Sequence, residues 1–394
     1  MHRLLSLTLL GLFFNSALGW GYSIYTPQGH REALMGNNGI AYNASEGAAI
    51  YNPAGAAGLE SSRISAGGSL LNASVFELGG NPSGSMTDKT TSPSYTQIPG
   101  LITGYQKFDW GRTGFFINTD YNITFDKFFT FNSNVGTSYT ELATNLNALN
   151  LGLLYANSVP LGEELKLQFG FTVSLGLLEM QQSTFSKAYL PSTSAYISGF
   201  ANQNVKTTNI MGRVGTLLAA PSYSVGAYYQ PRSSALSSSF SNFSYQVSSV
   251  GEVVDNSTNE GPPLLNSEIY GAGVGFALGK SLKVFVDANV VTPDDSTTIT
   301  SSGRVESAGS GLEYTLKSDN HIYGGVTYSE EKGRSQTKGW MTSTGFDYKV
   351  SFIKNYFGIY YTRYTTPEKT EGSNSSSGST LSWLGILIAS QYSF

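Results

Sequence analysis

No cysteine occurs among the 394 residues, so a disulfide scaffold, a zinc ribbon, an iron–sulfur protein and a thiol nucleophile are excluded together. Charge is scarce too: 13% of the residues are Asp, Glu, Lys or Arg, against ~25% in ordinary globular chains, so something other than a charged surface keeps the protein in place. The formal charge of −4 gives no basic field for nucleic acid. Histidine is limited to His2, His30 and His321, which leaves little for acid–base catalysis. No apolar run of the chain reaches the ~20 residues that a spanning helix needs. What is plentiful is 25 Tyr, 22 Phe and 45 Gly against 13 Pro, a mixture suited to strands and tight turns.

Residues 1–19 read as a signal peptide: Arg3 is the positive end, Leu4 to Phe14 are apolar, and Ala17-Leu18-Gly19 places small residues where a peptidase cuts. Such a protein is exported, and strands must make any membrane crossing. The remaining chain has the required period of two. From Glu164 to Leu177, Leu165, Leu167, Phe169, Phe171, Val173, Leu175 and Leu177 alternate with polar or small residues. Fourteen residues are long for a globular strand and ample for a tilted transmembrane one.

Fourteen strands are expected, starting near residues 61, 97, 113, 147, 164, 205, 222, 267, 281, 305, 321, 342, 355 and 380. Connections after even strands are short, such as Gly279-Lys280, and those after odd strands are long, including roughly 125–146, 179–204 and 231–266. An antiparallel transmembrane β-barrel sorts its connections in this way; a soluble sandwich has no reason to. The fold class is therefore all-β. The last residues alternate as a closing strand, with Leu384, Ile386, Ile388, Ser390, Tyr392 and Phe394 on one face.

Ahead of the first strand lies a stretch without alternation, rich in Gly and Ala. Its run Gly39 to Leu59, with Asn52-Pro53-Ala54 inside it, resembles the amino-terminal signature of the FadL family. These are outer-membrane transporters of long-chain fatty acids, grouped with aromatic-hydrocarbon uptake proteins of the toluene-transport type. The terminal aromatic resembles the closing strand that bacterial outer-membrane proteins present to the barrel assembly machinery.

The resemblance implies a small hatch over residues 20–60 inside a fourteen-stranded barrel over 61–394, with Asn52, Pro53 and Ala54 where hatch meets wall. It also implies hatch-gated diffusion of a fatty acid or hydrocarbon, lateral release through the wall, and a monomer among outer-membrane lipid and lipopolysaccharide. No cofactor or metal is expected, and no enzyme activity. A general porin or a surface adhesin on the same architecture is the alternative.

Aromatic and apolar residues in the expected loops form a candidate ligand groove, because exposed apolar patches mark binding surfaces. They are Phe128, Phe129 and Phe131; Phe185, Tyr189, Leu190, Tyr196 and Phe200; and Phe240 and Phe243. Charges on the polar strand faces should point into the lumen, since a lipid-facing cation costs up to ~2–4 kcal/mol. Lys166, Arg213 and Lys283 are thus candidate head-group contacts. Gly271-Ala272-Gly273-Val274-Gly275 imitates a dinucleotide fingerprint, but with no helix after it it reads as small lumen-facing residues.

Overall fold

Alternating side chains along successive strands build one antiparallel sheet that closes on itself. In the computed structural model the described residues are 27–78, 89–94, 98–133, 136–190, 195–248, 251–259, 265–292, 304–316, 320–332, 336–366 and 379–394. The expected signal segment lies outside them. The strand segments are β1 (Arg63–Leu78), β2 (Lys89–Ser94), β3 (Ile98–Phe108), β4 (Gly111–Ser133), β5 (Gly136–Pro160), β6 (Lys166–Leu190), β7 (Ala195–Ala219), β8 (Tyr223–Gln230) and β9 (Ser234–Ser248). They continue as β10 (Gly251–Asn259), β11 (Ile269–Leu278), β12 (Leu282–Val291), β13 (Arg304–Thr315), β14 (His321–Lys332), β15 (Lys338–Val350), β16 (Ile353–Thr366) and β17 (Ser379–Ser393).

These segments make fourteen staves, because three staves are interrupted. β2 and β3 pair with the two halves of β1. β8 and β9 share β7 as neighbour, and β10 and β11 in turn continue the stave beyond them. β17 pairs with β1 from Arg63↔Ser393 to Leu78↔Ser379 and closes the barrel. The expected strand number thus holds.

The long connections differ from expectation. The segments near 125–146 and 179–204 are mostly strand, since β4 and β5 stay paired from Arg112↔Ala156 to Ser133↔Gly136, and β6 and β7 from Lys166↔Ala219 to Leu190↔Ala195. The groove candidates are therefore not loop residues: Phe128, Phe129 and Phe131 are in β4, Phe185, Tyr189 and Leu190 in β6, Tyr196 and Phe200 in β7, and Phe240 and Phe243 in β9. Beyond the hydrocarbon both faces of a strand meet water, so the period of two in hydropathy fades. Thr, Tyr and Phe still favour the extended backbone there.

The outer surface confirms which face meets lipid. Leu167, Phe169, Phe171, Val173, Leu175 and Leu177 on β6 are all exposed and point outward. Ten residue steps along a tilted strand span ~25 Å, the height of the apolar band of outer-membrane barrels. Glu179 and Lys206, paired at 2.8 Å, mark its upper limit. Aromatic side chains gather at both rims: Trp110 stacks between Phe108 and Tyr155 by the short turns, and Trp340 packs on Tyr361 towards the long hairpins.

Inside lies residues 27–62, a helical turn α1 (Arg31–Leu34), irregular backbone and a 3-10 helix over Pro53–Gly58. The buried core consists of this hatch against the inner wall. Ala33, Leu34, Met35 and Tyr42 meet Leu217, Phe285, Tyr323, Tyr356 and Leu387. Ala48, Ala49, Ala56 and Leu59 meet Leu101, Tyr105, Phe116 and Leu154.

Candidate functional site

Small side chains on both sides let hatch backbone approach wall backbone. A Cβ on Gly170 of β6 would lie 2.5 Å from the Pro53 carbonyl carbon, and one on Gly226 of β8 2.3 Å from the Ile40 oxygen. On β14 a Cβ at Gly325 would lie 2.0 Å from the Met35 carbonyl carbon, and on β16 one at Gly358 would be 2.2 Å from Leu34. Gly271, Gly273 and Gly275 share the lumen-facing side of β11, as their spacing implied. The wall is therefore rich in glycine and poor in side-chain bulk where the hatch sits, and hatch backbone packs directly on it.

Asn52 joins the two parts. Its φ of −151° and ψ of 109° are extended, as a residue before proline should be, and its Oδ1 accepts from the Ala54 N–H at 3.1 Å. Its Nδ2 donates to the Ile40 oxygen at 2.8 Å and to the Thr216 oxygen of β7 at 3.0 Å. Pro53 supplies the first residue of the 3-10 helix, where its missing N–H costs nothing. Asn52-Pro53-Ala54 thus lies against β6 and β7, at the contact between hatch and wall.

Charges knit the short-turn face of the hatch to the barrel. Arg31 pairs with Glu46, Arg63 of β1 reaches the same Glu46 oxygen at 2.7 Å, and Arg31 also donates to the Tyr42 hydroxyl at 2.6 Å. Tyr42 donates to Glu313 of β13, which Lys283 of β12 holds at 2.8 Å. Burial opposes ionisation of Glu46, but Arg31 and Arg63 outweigh it and hold the carboxyl down at about 2. Burial pushes the His30 imidazole down to about 4, although Glu46 nearby opposes this. Burial pushes Glu32 up, with Glu46 adding to the effect. The Ser45 hydroxyl donates to Glu32 at 2.5 Å.

On the long-hairpin side of the hatch is a cavity of about 110 Å³. Its floor includes Asn37, Asn38, Ile50 and Tyr51. Its walls include Asn118, Asn150, Thr172, Arg213, Tyr228, Gln230, Asp287, Asn289 and Ser307. Asp287 Oδ2 accepts from the Gly39 and Ile40 N–H groups of the hatch at 2.6 and 2.9 Å. Arg213 donates to Gln230 Oε1 at 2.7 Å and lies over the Tyr228 ring, 4.8 Å from its centroid. Beside the cavity the wall ladder is interrupted on one side of β7: it pairs with β8 up to Val214↔Tyr229 and with β9 from Ile210↔Ser234, so Met211–Arg213, which stay paired with β6, are not in register with 230–233.

Of the candidate head-group contacts only Arg213 reaches this cavity. Lys283 is committed to Glu313, and Lys166 is exposed at the short-turn end of β6. Of the groove candidates, Phe240 packs on Val205, Met180 and Ala148 above the lumen. Phe185, Phe200 and Phe243 are on the opposite, outer face, with Phe200 and Phe243 centroids 6.2 Å apart. The side chains of Phe128, Phe129, Phe131, Tyr189, Leu190 and Tyr196 lie outside the described residues. Sequence reading missed Glu46 and the amides of the cavity. Asp287, on the polar face of its strand, is a charge that alternation places in the lumen, and it pairs with the hatch as most such charges are expected to pair with the hatch or with one another.

A fourteen-stave barrel closed by an amino-terminal hatch defines an architectural class, and solved structures share it. The toluene transporter TodX of Pseudomonas putida superposes with a TM-score of 0.65 at 13% identity, over 94% of this chain and 99% of that one. The toluene transporter TbuX of Ralstonia pickettii gives 0.63 at 15% identity, over 94% and 99%. A FadL homologue of Pseudomonas aeruginosa gives 0.54 at 12% identity, over 94% and 99%. In fold, the chain is of the FadL and toluene-transporter type. No family model and no curated protein matches the sequence.

Proposed function

We propose that this chain is an outer-membrane channel through which long-chain fatty acids or related hydrophobic compounds diffuse past the hatch and leave sideways into the bilayer. The observation that carries this reading is the hatch seated across the lumen of a barrel similar throughout its length to hydrocarbon channels. A wide aqueous pore would serve such cargo poorly, since each methylene exposed to water forgoes ~0.8 kcal/mol. A porin needs an open lumen, and the hatch speaks against it. The interruption beside Met211–Arg213 adjoins the cavity and is the candidate lateral exit. The protein acts as a monomer among outer-membrane lipid and lipopolysaccharide, without cofactor.

The test is uptake of radiolabelled toluene and of a long-chain fatty acid by cells with and without the protein. Faster uptake of either is expected; no difference, with the folded barrel present, would reject a channel and favour an adhesin. In the same assay Asn52→Ala should slow uptake while leaving barrel yield near wild type, because it unties hatch from β7 and touches no lipid-facing residue. A parallel fall in yield and uptake would mean that the motif serves folding alone. Deleting Phe394, whose N–H donates to the Ser62 oxygen at the seam, should lower the amount of heat-modifiable barrel without preventing export. Unchanged assembly would remove its role as the end read by the assembly machinery.

A further inference from the structure

Where β5, β6, β7 and β9 rise out of the apolar band, register sets their outward side chains in cross-strand rungs. The lowest is Leu149, Leu177, Thr208 and Ser237. Next comes Asn147, Glu179, Lys206 and Ser239, and beyond it Asn145, Gln181, Asn204 and Ser241. β9 has one extra residue, Leu236, opposite the step from Thr208 to Asn209, and such a bulge bends the wall. Beside it a depression of about 390 Å³ is lined by the two lower rungs and the chain between them. Higher on the same face stand Phe185, Phe200, Phe243 and Tyr245, each 36–40% exposed, with Phe200 directly opposite both Phe185 and Tyr245. From Leu177 to Phe185 a tilted strand climbs ~20 Å, so these rings stand outside the bilayer. Bulk water gives no reason to gather apolar rings there; exposed, they mark a binding surface.

We propose that this face docks lipopolysaccharide of the outer leaflet, with acyl chains on Leu149 and Leu177, a phosphate at Lys206, sugar hydroxyls on the carboxamide and hydroxyl rungs, and sugar rings on the aromatic platform. This rests on the outer-membrane setting of the channel reading and goes beyond its cargo.

Each part of the face calls for a different part of this occupant. The depression is continuous with the lipid band, so what fills it arrives from the membrane and carries acyl chains. The Lys206 side chain is 58% exposed, and its pair with Glu179 is a surface one that contributes little, so the ammonium takes a phosphate on its Ser239 side at small cost. Carboxamides and hydroxyls both donate and accept, which suits the many hydroxyls of a saccharide and neither a fatty-acid chain nor a hydrocarbon. Sugar rings present C–H faces that pack on aromatic rings, and Phe200 and Phe243, with centroids 6.2 Å apart, form such a platform. A phospholipid would leave the upper part of the face bare, and a soluble glycan would leave Leu149 and Leu177 bare.

The experiment is thermophoretic binding, to the purified full-length protein in detergent micelles, of full-core lipopolysaccharide, of deep-rough lipopolysaccharide lacking the outer sugars, and of phosphatidylglycerol. Full-core lipopolysaccharide should bind about fivefold more tightly than deep-rough, and both more tightly than phosphatidylglycerol. Lys206→Gln should weaken both lipopolysaccharides about tenfold, the worth of one charge-assisted hydrogen bond. Phe200→Ser combined with Phe243→Ser should leave deep-rough binding unchanged and abolish the preference for the full core; it serves if Lys206→Gln loses heat-modifiability. Lys332→Gln, at an exposed cation of β14, should change nothing. Equal losses from Lys206→Gln and Lys332→Gln, phosphatidylglycerol bound as tightly as lipopolysaccharide, or a full-core preference that is absent or survives the phenylalanine variant would overturn the docking face. Any of these with toluene uptake intact would leave the channel reading standing.

Discussion

Gly325→Val will open the lumen to ions. The glycine faces inward between Gly311 and Ser343, and a Cβ there would stand 2.0 Å from the Met35 carbonyl carbon and 2.5 Å from the Gly36 nitrogen. Overpacking of a core costs about 1–3 kcal/mol when side chains can shift, but here the obstruction is hatch backbone. That backbone is fixed by the Gly36 N–H donating to Ser343 at 2.9 Å and by Thr327 donating to the Gly36 oxygen. The hatch must leave its seat, while valine suits a strand and the lipid-facing side is unchanged. Planar-bilayer recording should show large, porin-like steps for the variant and little current for the native chain. Gly324→Val is the control, because a Cβ there meets only Leu312, at 3.8 Å or more. Equal conductance from the two variants would mean that the hatch does not close the pore.

Glu46→Gln should have a comparable effect by a different route. It leaves Arg31 and Arg63 buried without their counter-charge, and breaking a buried ion pair from one side costs about 3–5 kcal/mol. Trypsin should then cut after Arg31 in folded barrel, where the native chain resists. Acid gives the matching titration in the native protein. Glu46, ordinarily near 4.5, titrates at about 2 in the seated hatch; its stabilisation is complete above pH 4.5 and is lost as pH falls through about 2. His30, lowered from 6.5 to about 4, resists protonation, so the seated hatch loses stability between pH 6.5 and 4. Conductance of the native protein should rise in two stages on acidification. Glu46→Gln, its hatch already unseated, should conduct at neutral pH and show neither stage; a profile identical to native would disconnect Glu46 from the gate.

The stave number and the closing strand were legible because lipid on one side and lumen on the other impose alternation residue by residue, as along Leu167 to Leu177. Above that band the same strands β4 to β7 continue with water on both faces, so 125–146 and 179–204 read as loops. The hatch was legible as small residues and through Asn52-Pro53-Ala54. Its electrostatics were not: Arg31, Glu46 and Arg63 follow no helical or strand period, and only the irregular fold of residues 27–62 brings them together. The cavity was hidden for a related reason. Asn118, Asn150 and Asn289 come from three strands, and each alone is an ordinary inward-facing amide; their common height is set by register, which composition does not reveal.

The seam has a consequence for biogenesis. Arg63 and Ser393 are neighbours although they stand near opposite ends of the folded chain, so the cylinder is completed only when the last strand arrives, a pairing of very high sequence separation and correspondingly late. Residues 27–62 precede β1 and rest against walls contributed by β3 through β17. They must already be within the curling sheet when it seals, like a ship raised inside its bottle. Zippering β17 onto β1 is therefore also the step that imprisons the hatch, and a hatch supplied afterwards as a separate peptide would meet a finished cylinder with no seam to enter by.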